Sequence, residues 1–384
     1  MRIKKLLYRS LEDADVVRVK EIIEDDSNQA GLEEEAMDLV TLVCGYLTQE
    51  TQEALPHVTS CCEDVLGALA RLGNPKELLM AQMEQMDSFQ HPSQVVSMLP
   101  SLATVLTRVK VSNMSVSWTW ALGTVGCHLQ TVATPANMGL EGAERLSLEQ
   151  TQEARECRQL CEACVAMSEP LVAIIERDSK EEEEGDNRHR RTVMINFLLS
   201  VLPPLSTLPQ HPQTDPRGSL VHPASADVCS RLVTLLSRVT RDIWTNIFNF
   251  PKTIKRKHLC DAESVEVFSM QDGILLYLVL VEEMCYDQVP SVFLHSHILR
   301  TASPHIITLL KSNNQEHVYK SLLLLNKLVT RISPESLSKE SVEDPGLVLL
   351  ISPLVTVTVY HDVEEGRKLG FSCFSKFVGL WDLA

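Results

Sequence analysis

The stretch LGALARLGNPKELLMAQMEQM, residues Leu66–Met86, predicts one helix that ends and a second helix that begins at once. Gly73 can take the left-handed conformation that ends a helix, and Pro75 suits the first helical turn, where its missing N–H costs nothing. Each helix has one apolar face, formed by Leu66, Leu69 and Leu72 in the first and by Leu79, Met83 and Met86 in the second. The stretch therefore predicts a helical hairpin whose apolar faces need neighbours.

The same helical periodicity returns along the chain, at about two helices in roughly 40 residues. Its apolar faces are Met37, Val40, Cys44 and Leu47; Val95, Leu99, Leu102, Val105, Leu106 and Val109; Leu160, Met167, Leu171 and Ile174; Val228, Leu232, Leu235, Val239 and Ile243; and Val318, Leu322, Leu325, Leu328 and Ile332. Hydrophobic residues make up 44% of the chain but aromatic ones only 5%, as is usual between packed helices. The sequence predicts an all-α fold, a HEAT/armadillo-like α-solenoid of stacked helical hairpins.

Charge and cysteine content narrow the function classes. The chain has 51 acidic and 35 basic residues, a net charge of -16, which disfavours binding to nucleic acid or to anionic lipid. Its apolar runs are shorter than the roughly 20 residues of a membrane-spanning helix, which predicts no membrane insertion. The 11 cysteines lie mostly in apolar helical faces, and the start of the chain does not resemble a signal peptide, so we expect a cytoplasmic protein.

Two segments interrupt the helical pattern. Arg177–Arg191 is an acidic block followed by a basic one, and Leu202–Pro223 is dense enough in proline to predict an extended loop. Both are expected to be exposed and to be cut first by a protease. The predicted division is a helical-repeat region at 1–177, a charged and Pro-rich linker at 178–224 that encloses one short helix (192–201), and a second helical-repeat region at 225–384.

The second region is predicted to end as an interrupted stack. A last helix begins near Val363, and its apolar residues Phe374, Phe377, Val378 and Trp381 are expected to stay exposed, whereas a solenoid normally ends in a polar cap. Just before it, Ser352–Tyr360 is rich in β-branched residues that favour a strand locally. We expect burial between helices to override that preference.

Cys157, Cys161 and Cys164 form the most suggestive candidate site. Their C-x3-C-x2-C spacing is the one that holds the iron–sulfur cluster of radical-SAM enzymes, and zinc is a second possible ligand. However, the surrounding residues are strong helix formers, and the spacing places the three thiols on one helix face. The favoured interpretation is therefore buried structural thiols, with a metal- or cluster-dependent enzyme as a remote alternative.

The other candidates are weaker. His295 and His297 could both bind a metal in an extended segment but point to different faces of a helix, and no acidic residue nearby supplies a third ligand. The basic cluster Lys252, Lys255, Arg256, Lys257 and His258 could attract an acidic partner, although a solvated loop is the simpler interpretation. Nucleotide-binding and hydrolase motifs do not occur. The sequence thus predicts no enzyme, no catalytic residue, no cofactor and no metal, and it leaves the partner-binding face unassigned.

Several segments, taken together and in order, resemble the glomulin (glomulin/aberrant lateral root formation) family. These are GALARLGNPKELLMAQMEQM, SMLPSLATVLTRV, CEACVAMSEPLVAIIE, NFPKTIKRKH, LLYLVLVEEMCYDQVPSVF and YKSLLLLNKLVTRISPESL. Each is only a packing pattern, so their common order along most of the chain is the stronger observation. The resemblance implies an all-helical, HEAT-like protein.

The resemblance also implies a function. Glomulin-type proteins are non-enzymatic scaffolds that inhibit cullin-RING ubiquitin ligases by covering the RING-box subunit, and they have been linked to vascular development. Alternatively, the chain is a ubiquitin-independent adaptor for an FK506-binding immunophilin or a receptor tail. Family members continue beyond the position of Ala384 and contact the RING-box subunit through those later repeats. We therefore expect the RING-binding repeats to be missing here, and no contact residue is carried over.

Overall fold

The computed structural model describes residues 2–136, 138–178, 185–214, 218–240, 242–244, 263–291, 294–337 and 345–381. Its helices are α1 (Arg2–Glu12), α2 (Val16–Glu24), α3 (Gln29–Glu34), α4 (Ala36–Cys44), α5 (Gln49–Ala54), α6 (Pro56–Leu72), α7 (Pro75–Met86), α8 (Pro92–Arg108), α9 (Val111–Thr131), α10 (Gln152–Asp178), α11 (Gly185–Ser206), α12 (Ala224–Thr240), α13 (Glu263–Leu280), α14 (His295–Leu310), α15 (Gln315–Thr330), α16 (Pro345–Tyr360) and α17 (Glu364–Val378). Short 3-10 turns lie at Asp26–Asn28, Gly142–Gln150 and Tyr286–Gln288. In this part of the chain the β-structure is limited to the antiparallel pair β1 (Gln213–Thr214) and β2 (Leu220–Val221) and an isolated bridge.

The prediction of an all-α fold built from paired neighbouring helices is confirmed. The chain forms two compact units, Met1–Val132 with Glu156–Val201 and Ala133–Arg155 with Leu202–Ala384. In the first unit α6 packs against α8, α7 packs against both α8 and α4, and α2 covers α6. In the second unit α14 packs against α15, and α16 packs against α14 and α17. Each unit is thus a set of helices that bury their apolar faces on the next pair, as in HEAT and armadillo repeats.

The hairpin predicted from Leu66–Met86 is present as α6 and α7. Pro75 is in the first turn of α7, and the Asn74 side chain caps that helix by accepting a hydrogen bond from the Lys76 backbone N–H at 3.0 Å. The predicted apolar faces are confirmed: Leu66, Leu69, Leu79, Met83 and Met86 are buried and Leu72 is half-buried. The hairpin therefore follows directly from its local sequence.

Two details of the predicted helical faces are wrong. Gly73 has φ of -71° and ψ of 171°, so it ends α6 in an extended and not a left-handed conformation. Glycine is needed there for space, because a Cβ atom would lie 2.9 Å from Leu78 Cδ1 and 3.1 Å from the Cβ of Ala36. The second detail is the predicted face Met37, Val40, Cys44 and Leu47. Val40, Cys44 and Leu47 are buried, but Met37 is exposed, so the buried face is narrower than the sequence predicts.

The predicted linker contains more helix than expected. The single short helix predicted at 192–201 extends over Gly185–Ser206, and Pro203 and Pro204 lie in its last turns. Leu202 and Leu205 are buried there, and the hydroxyl of Ser206 donates to the Pro203 carbonyl at 2.7 Å, which satisfies one of the carbonyls at the end of the helix. An extended loop from residue 202 is therefore wrong up to Ser206. The predicted exposure of Leu202–Pro223 is wrong further along as well, since Leu208, Gln210 and Gln213 are buried.

The predicted exposure of the acidic and basic block is also wrong in part. Arg190 is buried, and its guanidinium lies 2.8 Å from the Asp178 carboxylate and 3.1 Å from that of Asp186. The two carboxylates compensate the positive charge of Arg190, and the basic end of Arg177–Arg191 can therefore be buried inside the first unit. The division of the chain at residues 177 and 224 stays a prediction.

The end of the described chain is better packed than predicted. Phe377 and Trp381 are buried and meet edge to face, with ring centroids 5.7 Å apart. α17, which carries Phe377, packs against α15 and α16. The chain before α16 also returns to this end, where the backbone of Leu337 pairs with that of Trp381 and donates to the Leu380 carbonyl at 3.0 Å. The predicted exposure is thus wrong for both aromatic residues, while Phe374 is half-buried and Val378 is exposed.

Candidate interaction surface

The face of α16 that points to solvent is the most unusual surface of the described chain. The helix contains no charged residue, and its buried side is formed by Leu347, Leu350, Leu354 and Val357. Its other side exposes six large apolar residues by 37% to 77%: Val348, Leu349, Ile351, Val355, Val359 and Tyr360. We call these six residues the uncovered face. Exposed Ser352 and Thr356 lie among them on the same side. Single exposed apolar residues are ordinary, but six of them on one uncharged helix make this face a candidate interaction site.

The sequence of α16 explains why it is a helix despite its β-branched residues. Pro345 begins the helix, and four residues at helical spacing are buried against α14 and α17. The hydroxyls of Thr356 and Thr358 donate to the carbonyls of Ser352 and Leu354 at 3.0 and 2.8 Å, so they are satisfied within the helix. Ser352–Tyr360 is therefore helical, as predicted, and the surface it leaves exposed is mostly apolar, with Ser352 and Thr356 as its polar residues.

A groove between α8 and α10 in the first unit is a second, smaller candidate. It has a volume of about 320 Å³ and is lined by Pro100, Ala103, Thr104, Thr107, Ala163, Ala166, Met167 and Pro170. Alanine and proline side chains are too short to fill the space between the two helices. The groove is concave and mostly apolar, but its walls hold no charged residue that would select a partner.

A buried ionic cluster anchors the segment Ala133–Arg155 within the second unit. The Arg145 guanidinium donates from Nε and Nη2 to one carboxylate oxygen of Glu316, at 3.0 and 2.7 Å, and lies 3.4 Å from the ring centroid of Tyr319. Glu365 accepts from the Tyr319 hydroxyl at 3.1 Å and from the Gly142 N–H at 3.1 Å. Every one of these contacts joins residues that are distant in sequence, so the cluster positions helices and does not present reactive groups.

Ser206, His317 and Lys320 lie together beside that cluster and superficially resemble a catalytic set. Ser206 Oγ is 2.7 Å from His317 Nε2, but the other ring nitrogen is 3.0 Å from the Ser312 hydroxyl, where a carboxylate would normally orient a catalytic histidine. Burial lowers the pKa of His317 to about 3, so the charged imidazolium, with a proton on both ring nitrogens, is strongly disfavoured. All three residues are buried. The arrangement does not meet the requirements of a general base.

Lys320 has a structural role in this group. Its ammonium donates to the backbone carbonyl of Ser206 and, at 2.7 Å, to that of Leu208. These are carbonyls at and just beyond the end of α11, where a cation satisfies groups that have no partner within the helix. Burial lowers the pKa of Lys320 to about 8, with Glu316 acting in the opposite direction. Lys320 is therefore a buried helix cap.

The structure places Cys157, Cys161 and Cys164 on α10, and all three are buried. Burial raises the pKa of the Cys164 thiol well above its ordinary value, which disfavours the thiolate that a metal or cluster requires. This agrees with buried structural thiols. His295 and His297 lie in the first turn of α14, where residues two apart point in different directions. The basic cluster Lys252–His258 lies outside the described residues.

Neither the uncovered face nor the Arg145 cluster was recognised in the sequence. A signal for the first was available: the 16 residues of α16 contain no charged side chain, so more than one side of the helix had to be apolar. The Arg145 cluster has no local signal in the sequence, because Arg145 and Glu316 are 171 residues apart. Among the described helices, none has the length and apolar character to cross a bilayer.

Comparison with known proteins gives the family. The chain is 26% identical to mouse (Mus musculus) glomulin over 380 residues and 24% identical to human (Homo sapiens) glomulin over 383 residues. In both cases the match covers 97% of this chain and 61% of the relative, so the chain spans about three fifths of the length of these curated proteins. A family model described as an uncharacterised protein family, YAP/Alf4/glomulin, matches residues 11–210. The chain therefore belongs to the YAP/Alf4/glomulin family.

Proposed function

We propose that this protein is a glomulin-type scaffold that binds protein partners and performs no chemistry. The observation that carries the proposal is the uncovered face of α16, an exposed apolar surface on a chain of this family. The buried polar groups described above are engaged in packing, which is what a rigid binding surface requires. The buried thiols of Cys44, Cys62 and Cys164 suit a reducing compartment, and we place the protein in the cytoplasm.

The proposed biological role is regulation of cullin-RING ubiquitin ligases through their RING-box subunit. This role rests on the family resemblance, which also implies that the RING-box contacts belong to repeats outside these 384 residues. We therefore expect residues 1–384 alone not to inhibit a ligase. The net charge of -16 can speed an encounter with a basic partner, but blocking a RING surface needs a packed, desolvated contact.

A chimera tests this role. The region of mouse glomulin that matches residues 1–384 is replaced by this chain, and ubiquitylation by a reconstituted cullin-RING ligase is measured at physiological salt. We expect the chimera to inhibit as mouse glomulin does, and residues 1–384 alone not to inhibit. A folded chimera without inhibitory activity would overturn the ligase-regulator role.

The adaptor alternative has its own readout. Direct binding of purified residues 1–384 to a purified FK506-binding immunophilin is measured by calorimetry in the absence of any ligase component. If binding occurs while the chimera fails to inhibit, the ubiquitin-independent adaptor replaces the ligase regulator. Stoichiometric zinc or iron bound through Cys157, Cys161 and Cys164 would instead contradict the scaffold proposal.

A further inference from the structure

We propose that the groove between α8 and α10 binds a basic amphipathic helix of a partner protein. Both walls of the groove belong to the first unit, and neither is part of the last described hairpin. The inference goes beyond the proposed function and does not depend on the ligase role. Three observations support it: the spacing of the residues that line the groove, the small size and accepting character of these residues, and the acidic charge beside them.

The spacing of the lining residues is that of one helix face on each wall. A face of this kind repeats at intervals of three and four residues, and two turns of helix span about 10 Å. A partner helix with apolar side chains at positions i, i+3 or i+4 and i+7 matches this length. The lining residues are Pro100, Ala103, Thr104 and Thr107 from α8, and Ala163, Ala166, Met167 and Pro170 from α10.

The size of the lining side chains leaves room for the anchors of such a helix. Ala103 and Met167 are buried and form the floor of the groove, whereas Pro100, Ala166 and Pro170 are exposed and form its edges. The volume of about 320 Å³ can take several large apolar side chains of a partner. Methionine is flexible, so the floor can adapt to the anchors that enter.

The polar groups of the groove are hydrogen-bond acceptors. The hydroxyls of Thr104 and Thr107 donate within α8, to the carbonyls of Pro100 and Thr104 at 3.1 and 2.8 Å, so their protons are already used. Pro170 has no N–H, and the Ala166 carbonyl therefore lacks the hydrogen bond that residue i+4 gives in a regular helix. Lysine and arginine side chains, which only donate, suit such acceptors.

The charge beside the groove is acidic. In residues 100–107 and 162–170 the only charged side chains are Glu162 and Glu169, which are exposed and lie on the outer side of α10. The single cation of α8, Arg108, donates instead to two backbone carbonyls at the end of α6. Together with the net charge of -16, the two glutamates favour a basic protein segment and repel the phosphates of nucleic acid or anionic lipid.

Fluorescence anisotropy with a labelled synthetic peptide tests the proposal on the purified 384-residue chain. The lysine peptide is about 18 residues long, so that it can form a helix, and has leucine at every third or fourth position and lysine on the opposite side. We expect it to bind at least about tenfold more tightly than a matched glutamate peptide, in which every lysine is replaced. Added salt should weaken the binding, because it screens the attraction between lysine and carboxylate.

A substitution that fills the groove tests the site itself. Ala166→Phe places a bulky side chain at the edge of the groove and should weaken binding of the lysine peptide at least about tenfold, because it occupies the space of an anchor. Ala173→Phe is the matched control, at an exposed alanine of α10 that does not line the groove, and should leave binding unchanged. Circular dichroism checks that both variants are folded.

The charge beside the groove is tested separately from the charge of the whole chain. Replacing both rim glutamates, by Glu162→Gln with Glu169→Gln, should weaken binding of the lysine peptide about fivefold. Glu33→Gln with Glu34→Gln, at two exposed glutamates of α3, changes the net charge by the same amount and should have little effect. Equal losses in the two double variants would mean that only the overall charge attracts the peptide, and would overturn the proposal.

Photo-crosslinking gives the location of the bound peptide, and it does so without any substitution in the groove. A photoreactive group at the centre of the lysine peptide should attach to residues within 100–107 or 163–170, as identified by mass spectrometry. Attachment to α16 instead overturns the proposal. The same holds if the lysine peptide does not bind, if the glutamate peptide binds equally well, or if a folded Ala166→Phe variant binds as the original chain does.

Discussion

Two helical hairpins of this protein, α6–α7 and α16–α17, use similar apolar sequences in different ways. In α6–α7 most large apolar residues are buried, apart from the half-buried Leu72 and the exposed Met80. The turn is held by Arg108, which donates to the Gly73 carbonyl at 2.9 Å. In α16–α17 one side of α16 is buried and the other is the uncovered face. The difference shows that apolar content alone does not tell which side of a helix is buried and which is exposed.

The second hairpin also depends on charge in a way that the first does not. Glu365, at the start of α17, belongs to the buried cluster with Tyr319 and Arg145. The buried residues of α6 and α7 are uncharged, and the only polar one is Gln82, which donates to the Ser101 hydroxyl at 2.8 Å. The first hairpin is thus held by close packing, and the second by packing together with distant ionic contacts.

The largest expected effect comes from removing the charge at the centre of the cluster. Arg145→Met should lower the free energy of unfolding by about 4 kcal/mol, because Glu316 then stays buried without its main partner. Urea unfolding measures the change. The matched control is Arg18→Met, which removes an exposed ion pair with Glu21 and should cost less than about 1 kcal/mol. If both substitutions lowered the free energy of unfolding by the same small amount, the cluster would not stabilise the second hairpin.

Truncating leucines tests whether both hairpins bury one face equally well. Leu66 and Leu350 are both fully buried, so Leu66→Ala and Leu350→Ala should each cost about 3 kcal/mol in unfolding free energy. Val355→Ala on the uncovered face should change it by less than about 0.5 kcal/mol. A large loss at Val355 would mean that this face is packed within a single chain.

The pH dependence of stability tests a buried carboxyl group, that of Asp272, in the unit that contains the second hairpin. Burial raises the pKa of Asp272 from 3.8 to about 7. Between these values the unfolded carboxyl has lost its proton and the folded one retains it, so this group lowers stability as the pH rises from about 4 to about 7. Asp272→Asn should therefore stabilise the protein by at least about 1 kcal/mol at pH 8 and much less at pH 4. Urea unfolding at both values, with the exposed Asp13→Asn as control, measures this; a gain independent of pH would contradict it.

The smallest expected effect concerns the glycine between α6 and α7. Gly73→Ala should cost about 1 kcal/mol, since the new Cβ would approach Leu78 Cδ1 to 2.9 Å although the backbone φ of -71° suits alanine. Gly123→Ala in α9 meets nothing within 4 Å and should instead stabilise by up to about 1 kcal/mol. Thermal unfolding distinguishes the two signs. A stabilising Gly73→Ala would show that the first hairpin packs less tightly than described.

Much of the fold could be predicted because its cause is local. The spacing of Leu66, Leu69, Leu79 and Met83 fixes which side of each helix is apolar, and Asn74 and Pro75 begin the second helix wherever the hairpin is placed. The same holds for the thiols of α10, whose burial follows from their helical spacing. Family membership could also be inferred, since it rests on the order of such segments.

Prediction failed where a distant contact overrode a local preference. Pro203 and Pro204 favour a loop, yet they end a helix because Leu202 and Leu205 are buried. Trp381 was expected to be exposed because nothing in the last helix shows that the backbone of Leu337 returns to pair with it. In both cases the deciding energy comes from residues that do not lie in the segment itself.

The sequence by itself determined that this chain is all-α, that its helices pair, and that α16 has no charge. Only the tertiary structure decided which side of α16 is covered and that Arg145, Glu316 and Glu365 meet in one cluster. The physical reason is that hydrogen bonding and periodicity within a helix depend on residues three and four apart, whereas burial depends on which helix is its neighbour. For a helix without charged residues, such as α16, the neighbouring helices decide which side is buried and which is exposed.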